Sequence, residues 1–192
     1  LSLGSVEKDG LMCGYHGLVY DGSGRCVDNP GEKQNGSFCV RSYPTVERQK
    51  FIWVWTGDPE LADQGLIIDF PYHDDSSFHY TRYDISANFM FMIDNLMDLT
   101  HLGYVHGSTI GGDPTGNNEA ELTTTSTPTG AHFLRWMMDA PLPPTFVKVA
   151  DIKGTVDRWS DFEYIAPASV LQWGGVLPSG CGAKENRQQQ GG

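Results

Sequence analysis

A short apolar stretch carries the side chains best suited to chemistry. Between residues 89 and 106, a run rich in Met, Leu and Phe is interrupted by acidic, amide and imidazole groups, namely Asp94, Asn95, Asp98, His101 and His106. The stretch has no proline and Gly103 is its only glycine, which predicts one helix from Phe89 to about His101 that ends or breaks near Gly103. On such a helix, the first four polar groups share about a third of the circumference and form one polar stripe.

This stripe has two interpretations. An amphipathic surface helix would turn it to water, although the stripe contains no Lys or Arg. A metal site is the sharper interpretation, because two imidazoles and a carboxylate bind non-haem Fe(II) and leave positions open for O2. His101 and His106 diverge by about 140° on a straight helix, so a shared metal requires a break near Gly103. Asp98 lies one turn before His101, where its carboxylate is expected to accept a hydrogen bond from a ligating imidazole.

A second candidate site is Cys13-Gly14-Tyr15-His16, on a predicted turn between two short strands. A turn with a thiolate and an imidazole three residues apart can offer both side chains to one metal, for which zinc and iron–sulfur are the candidates, and mixed Cys and His ligation of a cluster is the Rieske case. The alternative is a buried cysteine beside an unrelated histidine. None of the other cysteines has a histidine two or three residues later, and no role is assigned to the remaining histidines, His73, His79 and His132.

The order of predicted elements indicates an α+β protein. Short strand-like runs separated by turn dipeptides fill the first third, at 11–13, 18–20, 38–40 and 51–55. Residues 58–77 are rich in proline and acids and are predicted to be a linker between two domains, 1–57 and 78–192. After the linker come a possible strand at 78–85, the helix, a Gly-, Thr- and Pro-rich stretch at 107–130, and strands at 132–137, 162–165 and 170–176.

Composition excludes several classes of protein. The 192 residues hold 13 Lys and Arg against 24 Asp and Glu, a net charge of −11, which argues against nucleic acid or an anionic membrane as partner. The longest apolar run, at 89–93, is too short to span a membrane. Four scattered cysteines and no recognisable secretory signal predict a cytoplasmic protein. Because the chain starts at Leu1, it is expected to be a piece of a longer polypeptide.

The two motifs together resemble the oxygenase component of Rieske non-haem iron oxygenases. C-G-Y-H-G-L-V-Y-D-G-S-G-R-C-V (13–27) is similar to the second half of the Rieske motif, and D-N-L-M-D-L-T-H-L-G-Y-V-H (94–106) to the mononuclear-iron helix. P-P-T-F-V-K-V (143–149) and V-D-R-W-S-D-F-E-Y-I-A-P-A-S-V-L-Q-W (156–173) resemble the catalytic-domain sheet of the demethylase branch. The likeness covers essentially the whole chain. It is closest to the vanillate O-demethylase type, and dicamba-type O-demethylases are also similar.

The resemblance implies a fold and a set of metal ligands. The chain would hold the C-terminal part of a small all-β Rieske domain and the N-terminal part of an α+β helix-grip (START-like) catalytic domain. Cys13 and His16 would bind the two irons of a [2Fe–2S] cluster, one each, and His101 and His106 would bind a mononuclear Fe(II). The first Cys-x-His pair of the cluster and the carboxylate ligand of the iron are expected outside these 192 residues. The fragment alone is therefore expected to be inactive.

The resemblance further implies how the parent enzyme is supplied with electrons. Asp98 would bridge His101 to a cluster histidine of the neighbouring subunit in a ring-shaped homotrimer, and Asn95 matches a position lining the iron pocket. The electrons would come from NAD(P)H through a separate ferredoxin-type reductase. O2 and an aromatic small molecule would be the substrates.

The implied reaction is O-demethylation of a vanillate-like methoxy aromatic acid. Hydroxylation of the methyl group gives a hemiacetal, which decomposes to a phenol and formaldehyde. One alternative is an aromatic-ring cis-dihydroxylating dioxygenase, which would yield a cis-diol instead. The other is a non-catalytic β-domain with a zinc-binding turn at Cys13 and His16, fused to a module that binds an apolar ligand; it predicts a colourless protein rather than a brown one.

Overall fold

The chain folds into two compact units, Leu1–Asp74 and Asp75–Gly192. The computed structural model describes residues 1–8, 10–31, 38–70 and 79–187. The division between the units falls within the predicted linker 58–77, whose last seven residues lie outside the described ranges, as does His73. The mixture of sheets and helices confirms the predicted α+β class.

The first unit contains a four-stranded antiparallel sheet in the order β1-β2-β3-β4. Its strands are β1 Ser5–Glu7, β2 Gly10–Met12, β3 Val19–Tyr20 and β4 Cys26–Asp28. The predicted strands at 11–13 and 18–20 are confirmed, and the turn between them carries the Cys-Gly-Tyr-His sequence. Asp21 tightens the next turn, because its carboxylate accepts hydrogen bonds from the backbone N–H groups of Ser23 and Arg25. The predicted strand at 38–40 is reduced to one bridge between Arg25 and Cys39.

A separate hairpin follows, formed by β5 Thr45–Arg48 and β6 Phe51–Val54. The predicted strand at 51–55 is confirmed, and the Phe51 and Trp53 rings lie 5.9 Å apart on one face, as residues two apart in a strand should. Two 3-10 turns, Pro59–Leu61 and Gln64–Leu66, occupy the start of the predicted linker. An aspartate side chain caps the N-terminus of each turn.

The second unit contains an antiparallel meander in the order β10-β9-β8-β7. Its strands are β7 Glu121–Thr127, β8 Gly130–Pro141, β9 Thr155–Ile165 and β10 Ser169–Pro178. The three predicted strands are confirmed and are longer than predicted, whereas β7 was missed inside the Gly-, Thr- and Pro-rich stretch. One face of the sheet packs Phe133 and Phe162, with ring centroids 4.9 Å apart, against Leu99 and Leu102.

Helical segments are short and lie mainly between residues 89 and 118. They are α1 Phe89–Met97, a 3-10 turn Leu99–His101, α2 Leu102–Val105, a π-type turn Gly107–Gly111 and α3 Pro114–Asn118. Two more follow among the strands, α4 Pro144–Val149 and α5 Ala183–Asn186. Ala183 packs with Trp136 and Trp159, which form a second apolar cluster.

The prediction of one continuous helix to about His101 is wrong. The helix stops at Asp98, whose backbone is extended (φ −109°, ψ 103°) and whose carboxylate caps the next turn. Gly103 is not the break point, because it lies within α2, where an added Cβ would come within 2.4 Å of Pro114 Cα. The polar stripe that assumed a single helix therefore does not exist as predicted.

Two other observations concern the second unit and the chain as a whole. Residues 79–85 contain no strand, contrary to the prediction for 78–85, and Phe78 lies outside the described residues. Among the described helices, none is both long enough and apolar enough to cross a membrane.

Candidate functional site

His101 and His106 come together although they are five residues apart. Their ring centroids lie 5.5 Å from each other in an edge-to-face arrangement. Both residues sit where the chain leaves regular α-geometry: His101 ends the 3-10 turn, and His106 follows α2 with φ −113° and ψ 19°. Two histidines five residues apart can bind one metal only if the helix is interrupted between them or at them. The interruption is present, and it occurs at the two histidines rather than at Gly103.

Asp98 fixes the orientation of the His101 ring through its main chain. The His101 Nδ1 atom lies 2.6 Å from the Asp98 carbonyl oxygen. A carbonyl only accepts, so Nδ1 carries the proton and the Nε2 lone pair of the neutral ring is left for a metal. The contact differs from the expected one, because the predicted acceptor was the Asp98 carboxylate.

The Asp98 carboxylate instead caps the turn that holds His101. Its Oδ1 accepts hydrogen bonds from Thr100 Oγ1 at 2.7 Å and from the Thr100 backbone N–H at 2.8 Å. These two bonds lower the pKa of Asp98, with smaller contributions from the charges of His101 and Arg135. Oδ2 makes no hydrogen bond to any described residue, and the side chain is exposed.

A buried arginine that sequence reasoning missed connects the sheet to both histidines. Arg135 on β8 donates from Nη1 to the Leu99 carbonyl at 3.2 Å, and from Nη2 to Asn117 Oδ1 at 2.9 Å and to the Asn117 carbonyl. Asn117 Nδ2 donates to the Gly111 carbonyl at 2.8 Å, and the Gly111 N–H donates to the His106 carbonyl at 2.9 Å. This chain of bonds ties the turn before His101 and the turn after His106 to one strand.

The two histidines line a cavity of about 390 Å³ in the second unit. This volume lies within the range of small-molecule sites. The wall is mostly apolar and aromatic, and its residues are Asn95, Leu96, Leu99, His101, Leu102, His106, Ile110, Phe146, Arg158, Trp159, Ser160, Phe162, Gln172, Trp173, Gly174 and Gly175. Asn95 is among them, in line with its expected position, although its role stays a prediction.

The Cys13–His16 turn presents a thiol and an imidazole near the surface of the first unit. The turn is closed by hydrogen bonds from Gly17 N to the Cys13 carbonyl at 3.0 Å and from Cys13 N to the Leu18 carbonyl at 2.8 Å. His16 is exposed, and its ring centroid lies 4.1 Å from that of Tyr15, with the two rings tilted by 55°. The backbone N–H of Tyr15, followed by that of His16, lowers the pKa of the Cys13 thiol, which favours the thiolate that binds metal.

Each candidate metal site has two potential ligands from this chain. Across residues 1–8, 10–31, 38–70 and 79–187, no group of three or more His, Cys, Asp or Glu side chains is arranged to hold a metal ion. The donor sets nevertheless fit the expected groups, because a thiolate–imidazole turn suits one side of a mixed-ligand cluster and two neutral imidazoles suit Fe(II).

Two family matches divide the chain in the same order as its two units. Residues 1–44 match the Rieske [2Fe-2S] domain, and residues 85–191 match the vanillate O-demethylase oxygenase C-terminal domain. The second match alone covers more than half of the chain. The chain belongs to the Rieske oxygenases of the vanillate O-demethylase type. The family predicted from the two motifs is confirmed.

Known Rieske oxygenases resemble this chain over nearly all of its length. It is 39% identical to a vanillate O-demethylase oxygenase subunit of a Pseudomonas species (95% of this chain, 57% of the relative). It is 36% identical to the toluene-4-sulfonate monooxygenase system iron-sulfur subunit of Comamonas testosteroni (98% and 55%). The crystal structure of dicamba monooxygenase bound to dicamba superposes with a TM-score of 0.81 at 32% identity (95% and 54%).

The chain thus spans just over half the length of the Rieske oxygenases it matches. Another structure of dicamba monooxygenase contains non-haem iron together with dicamba. The match to the Rieske [2Fe-2S] domain confirms the predicted cluster, and the non-haem iron of dicamba monooxygenase supports the predicted mononuclear iron.

Proposed function

We propose that the protein is the oxygenase component of a monooxygenase that O-demethylates a small methoxylated aromatic acid. The observation that carries this proposal is the meeting of His101 and His106 at the wall of an apolar cavity of about 390 Å³. A cavity of this size accommodates a single substituted aromatic ring. It brings the substrate to the two imidazoles rather than to bulk water.

Two pairs of residues in this chain bind two different metal centres in this proposal. Cys13 and His16 hold one side of the cluster, and His101 and His106 hold the mononuclear iron, which supplies the activation of O2 when bound. The Nδ1–H bond from His101 to the Asp98 carbonyl keeps that ring in the tautomer that offers Nε2 to the metal. This bond therefore sets the direction from which the ligand approaches.

Asp98 is proposed to link the iron site to the cluster of a neighbouring subunit in a homotrimer. Its main-chain oxygen holds His101, while its exposed Oδ2 is left without a hydrogen bond among the described residues. A carboxylate with one free oxygen is able to accept a bond from an imidazole of another subunit. Light scattering of the complete protein tests the trimer, and a monomeric mass would contradict this role.

The cavity walls are proposed to position the aromatic ring and exclude water. Phe146, Phe162 and Trp173 offer aromatic surface, and Leu96 and Leu102 add apolar area beside the histidines. Orientation of the methoxy group toward the two imidazoles follows from ring packing against these walls. Asn95 is proposed to be a polar group of the pocket near the iron.

Product analysis tests the proposed reaction. The complete oxygenase component is combined with a reductase, NADH and 4-methoxybenzoate. We expect formaldehyde and the corresponding phenol in equal amounts. A cis-diol without formaldehyde would instead identify a ring-dihydroxylating dioxygenase, and a colourless zinc protein without activity would identify the binding module.

A second candidate reaction is hydroxylation of a methyl group attached directly to the ring. It is favoured by the 36% identity to an iron-sulfur subunit named for toluene-4-sulfonate. The same assay with toluene-4-sulfonate distinguishes the two reactions, because ring-methyl hydroxylation yields a benzylic alcohol and no formaldehyde. Turnover of this compound in preference to the methoxy acid would favour the second candidate.

The proposed electron donor is a ferredoxin-type reductase in the cytoplasm. The net charge of −11 suits a reductase with a basic docking surface. All four cysteines are free, as a reducing compartment requires. Electron transfer that slows as ionic strength rises is the expected result, and a rate independent of salt would contradict electrostatic docking.

A further inference from the structure

Arg158 is a buried cation in the wall of the cavity that holds the histidine pair. It lies on β9, opposite Met137 of β8, and only 8% of its surface is exposed. Arg158 lines the cavity together with His101 and His106, and its guanidinium carbon lies 6.0 Å from the ring centroid of Phe146, another lining residue. The resemblance to Rieske oxygenases assigned no role to this residue, and spacing along the sequence gave no signal for it.

The contacts of Arg158 leave its charge without a counter-ion. Nη2 donates to the Ile110 carbonyl at 2.9 Å, and Nη1 lies 3.5 Å from the Gly111 carbonyl. No carboxylate oxygen of a described residue lies within 4.0 Å of the guanidinium, whereas Arg187 on the same unit pairs with Asp161 at 2.9 Å. A buried charge is usually paired, because burial without a partner costs solvation energy.

The cavity offers no acidic group to supply that pairing. Its lining contains no Asp or Glu, and its other polar side chains, Asn95, Ser160 and Gln172, are neutral. Burial, together with the nearby charge of Arg135, lowers the pKa of Arg158 to about 10, so the guanidinium stays protonated at neutral pH. The cavity wall is therefore positively charged and suited to an anion.

We propose that Arg158 binds the anionic group of the aromatic substrate, a carboxylate or a sulfonate, and so selects aromatic acids over neutral aromatics. This inference rests on the proposed function, since it takes the cavity to be the substrate site. The guanidinium has N–H groups that Ile110 and Gly111 do not use, and its planar fork matches a two-oxygen acceptor. Arg158 thereby orients the substrate by its acidic end and leaves the methyl-bearing end for the iron.

A binding comparison with two isosteric ligands tests this inference. The complete oxygenase component is titrated with 4-methoxybenzoate and with neutral 4-methoxybenzamide, and quenching of Trp159 and Trp173 fluorescence in the cavity wall reports binding. We expect the acid to bind about 10- to 100-fold more tightly than the amide, as a charge-assisted hydrogen-bonded pair requires. Benzenesulfonate and benzenesulfonamide form a second pair that separates a carboxylate preference from a sulfonate preference.

Substitutions of Arg158 test whether this residue causes the preference for the acid over the amide. In Arg158→Gln the acid is expected to lose its advantage while the affinity for the amide stays within about twofold, and Arg158→Lys is expected to keep part of the advantage. Unchanged amide binding also shows that the variant is folded. The matched control is Lys148→Gln, which removes the same charge from the exposed face of α4, near Phe146 of the cavity wall, and should leave both affinities unchanged.

Two results would overturn the inference. One is equal affinity of the unsubstituted protein for acid and amide, as expected if an acid from elsewhere in the protein neutralises Arg158. The other is an acid preference that survives in Arg158→Gln. A different result would contradict the proposed function alone. An acid preference that depends on Arg158, without release of formaldehyde, would contradict O-demethylation but would still support the anion site.

Discussion

Asp98 supports the histidine pair through two different atoms. Its carbonyl accepts the Nδ1–H bond of His101, and its carboxylate caps Thr100 in the same turn. A substitution of the side chain therefore removes the cap and the proposed link to another subunit, yet keeps the carbonyl that orients the ligand. These functions can be separated by experiment.

We expect Asp98→Ala in the complete enzyme to retain both metals and to lose most of its turnover. Loss of the cap should cost about 1 kcal/mol of unfolding free energy. Iron analysis, the EPR signal of the cluster and product formation are measured on the same preparation. Asp94→Ala is the matched control, because Asp94 is an exposed acid one turn earlier on α1. Metal loss in Asp98→Ala, or unchanged turnover, would rule out the assigned role.

The same cap predicts a pH dependence of stability. The bonds from Thr100 hold the folded-state pKa of Asp98 below its ordinary value of about 3.9. A lowered carboxyl pKa stabilises the fold above that ordinary value, and the contribution is lost as pH falls through the folded-state pKa. Urea unfolding should thus show a constant difference between the parent and Asp98→Ala from pH 5 to 8. The difference should shrink below about pH 4, and a difference unchanged at acid pH would contradict the cap.

At the scale of residues, the sequence indicates which side chains are candidate ligands better than it indicates which atoms form their hydrogen bonds. The spacing of His101 and His106 and the Cys13–His16 turn made these residues candidates, and the resemblance to Rieske oxygenases implied their roles as ligands. The choice of the Asp98 carbonyl over its carboxylate depends on the φ and ψ of one residue, which spacing does not encode. Arg158 was missed because an arginine in a strand gives no periodic signal of burial.

The packing of α2 against α3 controls where the two histidines lie. Gly103 on α2 lies very close to Pro114 on α3. A Cβ added to Gly103 would lie 2.4 Å from the Pro114 Cα and 2.8 Å from the Pro114 backbone nitrogen. Because these contacts are to backbone atoms, no side-chain rotation relieves them. A side chain at this position must push the two helices apart.

We expect Gly103→Ala to destabilise the protein by about 1–3 kcal/mol and to weaken binding of the mononuclear iron. Thermal unfolding and the iron content of dialysed enzyme report the two effects. Gly116→Ala on α3 is the control, since the nearest atom to its added Cβ is Asp113 Oδ2 at 4.0 Å. That variant should be neutral or slightly more stable. Equal stability of the two variants would show that the helix contact does not position the ligands.

At the scale of elements, composition predicted the sheets better than the helix boundaries. Three strands of the second unit are predicted because each has an apolar run, whereas β7 lies in the Gly-, Thr- and Pro-rich stretch, for which no strand is predicted. The helix end at Asp98 was missed because capping by an aspartate inside an apolar run looks like a polar position on a longer helix. The burial of Leu99 and Leu102 with Phe133, rather than local helix propensity, stabilises the interrupted helix.

The two units each carry one pair of proposed ligand side chains, which has a consequence for the molecule as a whole. Cys13 and His16 belong to the first unit, and His101 and His106 to the second. No described residue adds a third ligand to either pair. Under the proposed function, a Cys-x-His pair and a carboxylate complete the two sets of ligands, and the described residues do not supply them.

We expect a polypeptide limited to these 192 residues to bind neither a stable cluster nor a full equivalent of iron. Visible absorption and EPR report the cluster, and metal analysis after dialysis reports the iron. The complete oxygenase component is the positive control and should be brown. A Rieske EPR signal from the 192 residues alone would show that two ligands from this chain suffice.

The two histidines and much of the remaining cavity wall come from different segments of the second unit. The histidines come from six consecutive residues, whereas β9, β10 and α4 provide much of the wall. A side chain added at Gly174 would meet the Trp159 carbonyl only at 3.4 Å, while one at Gly175 would strike the Trp159 ring. A lineage can therefore change the shape of the pocket by a substitution at Gly174 while it keeps the segment that carries the two histidines.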